Sequence, residues 1–268
     1  MCLILLAYRS HPDVDVLLAG NRDEFHRRPA VPPALIAGPP RIHAGRDLEA
    51  GGTWMGRNEH GLLAALTNRR SANPPPPDVR SRGEIVMGLL RQRTPSDAAA
   101  WLSDQPQGRY RPYTVLFGGR DAFYCFSPQD GAALRPLQPG AYALSNSTLD
   151  DRSWPKVERS HRFLREHGSR AGEALLADLQ RFLCDATPAD DQPSLTPGEE
   201  IHGAMGAVFI RSDGYGTVSS SILTQGGTLG ERYYFAERAG MMRAADEAAG
   251  GQAFRTPFRL IPLTPPDA

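Results

Sequence analysis

Short apolar blocks separated by polar breakers run along most of the chain, and in the first third their lengths favour strands. Leu3-Ile4-Leu5-Leu6-Ala7-Tyr8 is unbroken and, with Cys2 before it, predicts a buried strand over 2–8. His11-Pro12-Asp13 reads as a turn into a second strand, Val14 to Ala19, which ends in the polar cluster Gly20-Asn21-Arg22-Asp23-Glu24-Phe25. Such a hairpin brings the chain start close to one Asn, one Arg and two acids. Arg28-Pro29-Ala30-Val31-Pro32-Pro33 cannot be helical and predicts an extended surface segment. Ala44-Gly45-Arg46-Asp47 and Gly51-Gly52-Thr53-Trp54-Met55-Gly56 predict loops around a short strand centred on Trp54. A tight turn follows at Arg57-Asn58-Glu59-His60-Gly61, where Gly61 can take positive φ. The strand from Leu62 to Thr67 then delivers Asn68 at its end.

Beyond the breaker Ala72-Asn73-Pro74-Pro75-Pro76-Pro77 the period changes. Ser81-Arg82-Gly83-Glu84 has capping-box spacing and predicts a helix through Leu90. Thr94-Pro95-Ser96 opens a second helix carrying Ala98 to Leu102. Four short segments, at 114–117, 122–127, 132–137 and 141–145, read as an antiparallel meander, and Asn146 follows the last. Helices are predicted from Trp154 to about His167 and from Gly172 to Cys184. A Pro- and acid-rich loop covers Ala186 to Glu200, and strands cover 204–211, 215–224 and 231–237. Strands, a helical pair, strands, a second helical pair and final strands suit two antiparallel sheets with helices outside them, an α+β arrangement. One domain is expected over 1–238, with a partly ordered Ala/Gly- then Pro-rich tail over 239–268.

Composition narrows the class. The 268 residues are 40% hydrophobic and 22% charged, with 30 basic and 30 acidic side chains. That balance fits a soluble globular protein and gives no general attraction to nucleic acid. No stretch approaches the ~20 apolar residues of a membrane helix, and the apolar start lacks the basic flank of a signal peptide, so a cytoplasmic location is expected. The three cysteines, Cys2, Cys125 and Cys184, form no zinc or CxxC pattern. Cys125 and Cys184 read as small buried apolar residues.

Cys2 differs by position. Removal of Met1 would leave a thiol and a free α-amine on one residue. An α-amine titrates near ~8 and can serve as general base without a histidine. An Arg in the Asn21-Arg22-Asp23-Glu24 cluster would favour the thiolate, and an Asp would hold the amine or the Arg. Asn68 and Asn146, each at the end of an apolar strand, are candidate oxyanion donors.

Taken together, Met-Cys, Gly20-Asn21-Arg22-Asp23-Glu24-Phe25 with Arg28-Pro29, Gly51 to Gly56, Asn58-Glu59-His60-Gly61, Thr67-Asn68-Arg69, Leu144-Ser145-Asn146-Ser147 and Trp154-Pro155-Lys156-Val157 resemble the NRDE family over residues 1 to about 238. The resemblance implies an N-terminal-nucleophile hydrolase fold, a four-layer αββα sandwich, most similar to the Cys-type acylases. It places catalytic roles on Cys2, Arg22, Asp23, Asn68 and Asn146, and substrate contacts on Asn21, Glu24, Trp54 and Asn58. In those acylases the Arg and Asp stand three positions apart. Here Arg22 and Asp23 are adjacent, which leaves Asn21 and Glu24 as alternatives for one role. Family members usually carry an Arg within the segment matching Tyr215 to Ser221. Val218 stands there, leaving Arg211 or Arg232 to supply the charge.

Two functions follow. One is an N-terminal-nucleophile amidase, acylase or thioesterase acting on a small molecule, with no cofactor or metal required. The other is a non-catalytic carrier for haem or an acyl-CoA-like ligand, with Cys2, His26, His43 or His60 as candidate iron ligands.

Overall fold

The computed structural model describes residues 2–36, 38–69, 78–189, 206–238 and 257–263. The breaker at 72–77, most of the 186–200 loop and most of the tail lie outside the described residues. In chain order the elements are β1 (Leu3–His11), β2 (Val14–Phe25), β3 (Ala30–Ile36), β4 (Ile42–Asp47), β5 (Met55–Asn58), β6 (Leu63–Asn68), α1 (Gly83–Leu90) and α2 (Pro95–Ser103). They continue with β7 (Tyr113–Gly118), β8 (Phe123–Phe126), β9 (Arg135–Pro136), β10 (Gly140–Leu144), α3 (Pro155–His167) and α4 (Gly172–Phe182). The last are β11 (Arg211–Ser212), β12 (Tyr215–Gln225), β13 (Arg232–Glu237) and β14 (Arg259–Leu260).

Two antiparallel seven-stranded sheets result. The first runs β10-β1-β2-β12-β13-β14 with β11 beside β12, and the second runs β3 to β9 in sequence order. Strand alternation splits the apolar residues between two faces. Ile4, Leu6, Tyr8, Val16 and Leu18 of the first sheet meet Met55, Leu63, Ala65, Leu116 and Phe123 of the second. Leu3, Leu5, Leu17 and Ala19 face away and pack on Phe163, Leu164, Leu175 and Leu179 of α3 and α4. Leu62, Ala64 and Val115 likewise pack on Ile85, Val86, Leu89 and Leu102 of α1 and α2. This is the expected four-layer αββα sandwich.

Several local expectations change. The second strand does not stop at Ala19. β2 runs on through the polar cluster, because Leu3 pairs with Asn21 on one side while Ser220 and Thr217 of β12 pair with Asn21 and Asp23 on the other. Burial is therefore set by strand pairing, and Asn21, Arg22 and Asp23 are all buried. The proline-rich segment forms β3, an edge strand that pairs, among the described residues, with β4 alone. An edge is where missing N–H donors are tolerated.

The expected meander breaks at its fourth strand: β10 leaves the second sheet and pairs with β1, Ile4 opposite Leu144. The segment at 204–211 forms only the short β11 among its described residues. The capping box at Ser81 does not form. Arg82 is the N-cap, no side chain caps it, and Glu84 turns its carboxylate to Arg80 instead. The box at Thr94 and Asp97 does form, with Pro95 in the first turn. The tail contributes too, with Arg259 and Leu260 pairing to β13 and Ile261 entering the core between the sheets.

Candidate functional site

Cys2 sits one residue before β1, half-buried, on the same strand face as Ile4. It lines a cavity of about 520 Å³ whose walls include Arg22, Asp23, Glu24, Asp47, Trp54, Asn68, Arg80, Arg82 and Arg111. Gly20 lets β1 and β2 come this close, since a Cβ there would stand 2.3 Å from the Leu3 carbonyl oxygen. On the opposite wall the backbones of Gly52 and Gly83 touch, a Cβ on Gly52 falling 2.5 Å from Gly83 C, which seats the 51–54 loop on the start of α1.

Adjacent strand residues point to opposite faces, and that separates Arg22 from Asp23. Arg22 shares the inter-sheet face with Cys2, and both also line a small crevice with Ile4, Trp54 and Met55. The Arg22 guanidinium lies over the Trp54 ring, 4.6 Å from its centroid, and donates to Asp47 Oδ2 at 2.8 Å. Arg28 donates to the same oxygen at 2.7 Å, while the amides of Glu49 and Ala50 donate to Oδ1. Sequence reasoning missed Asp47. Its only sequence signal is Gly45-Arg46-Asp47 ahead of a loop, and its partners come from two other segments.

Asp23 turns towards the helix layer. Lys156 Nζ of α3 stands 3.2 Å from its Oδ2, both side chains fully buried, and Thr217 Oγ1 donates to Oδ1 at 2.7 Å. Asp23 still forms part of the cavity wall. The WPK segment singled out by the resemblance thus supplies the cation behind the acid.

Asn146 is buried and bonded through both its Oδ1 and its Nδ2. The Cys2 N–H donates to its Oδ1 at 3.2 Å, and its Nδ2 donates to the Asn68 carbonyl at 2.5 Å. The Ser145 hydroxyl donates to the Cys2 carbonyl at 3.1 Å. Asn146 is therefore placed to orient the Cys2 nitrogen and to tie β6 to the start of β1. Its Nδ2 is directed at the Asn68 carbonyl, and Asn146 is not among the residues that line the cavity. Asn68 itself is half-buried and lines the cavity.

Two expected contacts lie elsewhere. Asn21 donates to the Leu183 and Val208 carbonyls and accepts from Ser220, so it braces β2 against the end of α4. Asn58 donates to the Leu90 and Gln92 carbonyls and accepts from the amides of His60 and Leu62, organising the turn in which Gly61 has φ +83°. Neither lines the cavity. Glu24 and Trp54 do.

Val218 is buried at a bulge in β12. Arg232 is occupied by Glu173, and neither it nor Arg211 lines the cavity. The positive charge comes instead from the opposite wall, from Arg80, Arg82 and Arg111. His26, His43 and His60 are absent from the lining, where Cys2 is the only thiol. His43 is held below its ordinary pKa by burial, and further by Arg57 and Arg41. The Cys125 thiol is pushed up to about 12, chiefly by burial, which leaves it unreactive at neutral pH. Cys184 accepts from Arg238 Nη2 at 3.2 Å, a polar contact its sequence context does not suggest.

Burial alone would raise the Asp47 pKa. The hydrogen bonds from Arg28 and Ala50 and the charges of Arg28 and Arg22 outweigh it and hold the carboxyl below its ordinary value. A depressed folded-state pKa gives stability that is present above the unfolded value, ~3.9, and is lost as pH falls through the folded one. Unfolding midpoints of the wild type and Asp47→Asn are therefore expected to differ at pH 7 and to converge towards pH 3. A difference that persists unchanged to pH 3 would contradict the assignment.

Two facing antiparallel sheets, a helix pair outside each and a near-terminal thiol at a cavity define an N-terminal-nucleophile hydrolase-like sandwich. The Caenorhabditis elegans N-acylethanolamine-hydrolyzing acid amidase ortholog has this fold, aligning with 97% of this chain and 100% of its own at a TM-score of 0.52 and 13% identity. The family profile described as Transport and Golgi organisation 2 matches residues 1–239, and the chain belongs to that family. Relatives include the Bos taurus Transport and Golgi organization protein 2 homolog, 30% identical with 83% of this chain and 88% of the relative covered. The Drosophila melanogaster Transport and Golgi organization protein 2 is 36% identical, with 83% and 87% covered. No helix among the described residues is long and apolar enough to cross a membrane.

Proposed function

We propose that the protein is an N-terminal-nucleophile hydrolase or acyltransferase that uses Cys2, after loss of Met1, on a small amide or thioester. The observation that carries this reading is the hydrogen bond from the Cys2 nitrogen to Asn146, made at the edge of a cavity that also holds Arg22 and Asn68. In the proposed reaction the freed α-amine takes the thiol proton and Cys2 Sγ bonds to the substrate carbonyl carbon. The Asn68 side chain is the candidate donor to the resulting oxyanion. Collapse breaks the bond to the leaving amine or thiol, which receives the proton from the α-ammonium. Water then hydrolyses the acyl-cysteine with the amine again as base. Arg22, stacked on Trp54 and fixed by Asp47, stands on the same face as Cys2 at the cavity.

Intact mass and N-terminal sequencing, followed by trapping with a p-nitrophenyl ester, test the proposal. A chain beginning at Cys2 and an acyl adduct on the Cys2 peptide are expected. Retained Met1 would overturn it, because the Cys2 nitrogen would then be an amide without basicity. A processed chain that never acylates would return the cavity to a carrier role.

Asn146→Ala is expected to lower acylation by roughly 100-fold, the scale of a small misplacement of reacting groups. Stability should fall by about 1–3 kcal/mol for the orphaned Asn68 carbonyl. Wild-type acylation rates in this variant would remove Asn146 from the site.

A further inference from the structure

The charges of the cavity wall do not cancel locally. Each lining carboxylate has a cation. Lys156 answers Asp23, Arg22 and Arg28 answer Asp47, and Arg80 answers Glu84 at 2.5 Å. Arg28 also stands 3.8 Å from Glu24 and 3.7 Å from Glu49. Arg82 and Arg111 remain, with no acidic partner among the described residues. Arg82 Nη1 donates to the Pro112 carbonyl at 3.1 Å, which fixes its guanidinium beside Arg111. Burial, and then the charge of Arg111, lower the Arg82 pKa to about 10. Two cations held together, one half-buried and one exposed, with neither in an ion pair among the described residues and Glu24 acting on Arg82 only from farther off, are an arrangement that stability alone does not favour. They line the same cavity as Cys2 and Asn68.

We propose that Arg82 and Arg111 form an oxyanion subsite, and that the molecule processed at Cys2 carries a carboxylate or phosphoryl group that seats on this pair. The substrate assignment rests on the Cys2 reading above, whereas the subsite itself does not. A guanidinium offers a planar donor fork that suits either anion, and a pair of them supplies the charge that a single lysine would not. The subsite would orient the scissile carbonyl at Cys2 by holding the far end of the molecule.

The test uses inorganic phosphate and acetate as probes on the full chain, at ionic strength balanced with sodium chloride. Alkylation of Cys2 by iodoacetamide is followed by site-resolved mass spectrometry, and the thermal midpoint is recorded in parallel. One or both anions should slow Cys2 alkylation at least fivefold and raise the midpoint by 2 °C or more, on the order expected for a ligand well above its Kd. Both effects should be lost in Arg82→Gln and in Arg111→Gln, and retained in Arg120→Gln, which alters an arginine paired with Asp15. Arg111 is exposed, so its variant is expected to fold even if the change at half-buried Arg82 is disruptive. Protection by acetate alone assigns a carboxylate, and protection by phosphate alone assigns a phosphoryl group. No effect of either anion, or effects unchanged in both arginine variants, overturns the subsite. Neither readout requires turnover, so a protein that fails to hydrolyse anything can still satisfy or refute it.

Discussion

Cys2→Ala is expected to abolish acylation by a p-nitrophenyl ester while leaving the fold intact. The loss should reach at least about 10³-fold, since the variant removes the atom that forms the covalent intermediate. Cys2→Ser should also fall steeply, because an α-amine titrating near ~8 is a poor match for a hydroxyl proton. Stability should change by no more than about 0.5 kcal/mol, because Cys2 is half-buried, precedes β1 and anchors nothing through its side chain. Pairing rate with thermal midpoint separates the two effects. A Cys2→Ala protein that acylates at the wild-type rate would place the reaction elsewhere, and Cys184, held by Arg238, would be the next thiol to remove.

The largest effect on stability is expected from Asp23. Its carboxylate is the only acidic partner of Lys156 among the described residues, and both side chains are fully buried. Asp23→Asn would leave an ammonium inside the interface between β2 and α3 without a counter-charge. Removing one member of a buried pair costs roughly 3–5 kcal/mol. At ~2–4 °C per kcal/mol for a chain of this size, the melting midpoint should drop by roughly 10 °C. The double variant Asp23→Asn/Lys156→Met should recover much of that loss, because it removes the stranded charge as well as its partner. A midpoint within 2 °C of wild type for Asp23→Asn would mean that the pair is not buried in solution. Acylation in the double variant carries a second message. If Asp23 only supports β2, activity should return with stability. If it holds the α-amine of Cys2 from the cavity wall, activity stays low in a stable protein.

Much of the architecture was legible in the chain because alternation and turn residues are local signals. The apolar run after Cys2, the β12 segment and the period of α3 and α4 each predict their element within a few residues. The failures share a cause, which is competition from distant partners. The polar cluster at 20–25 reads as lying beyond the strand, but β1 and β12 pair with it on both sides and make it strand. Ser81 and Glu84 have capping spacing, but Arg80 takes the glutamate. The segment at 140–144 follows three strands of one sheet and joins the other, because β1 offers it a free edge.

At the site, the resemblance carried by the ordered motifs marked Cys2, Arg22, Asp23, Asn68 and Asn146; the first four line one cavity, and Asn146 lies behind it, bonded to Cys2 and Asn68. That much depends on residue type and order. What each side chain faces depends on which strand lies beside it, and only the tertiary structure decided that. Pleating separates Arg22 from Asp23, aiming one at the Trp54 ring and the other at Lys156. Asn146 donates from Nδ2 to the Asn68 carbonyl, and Asn21 and Asn58 turn away to brace the frame. Asp47, Lys156 and the Arg82–Arg111 pair carry no motif of their own, since they matter through charges brought close from segments far apart in the chain. The candidate thiol was therefore marked by the motifs of the sequence, and the charges around it were set by packing.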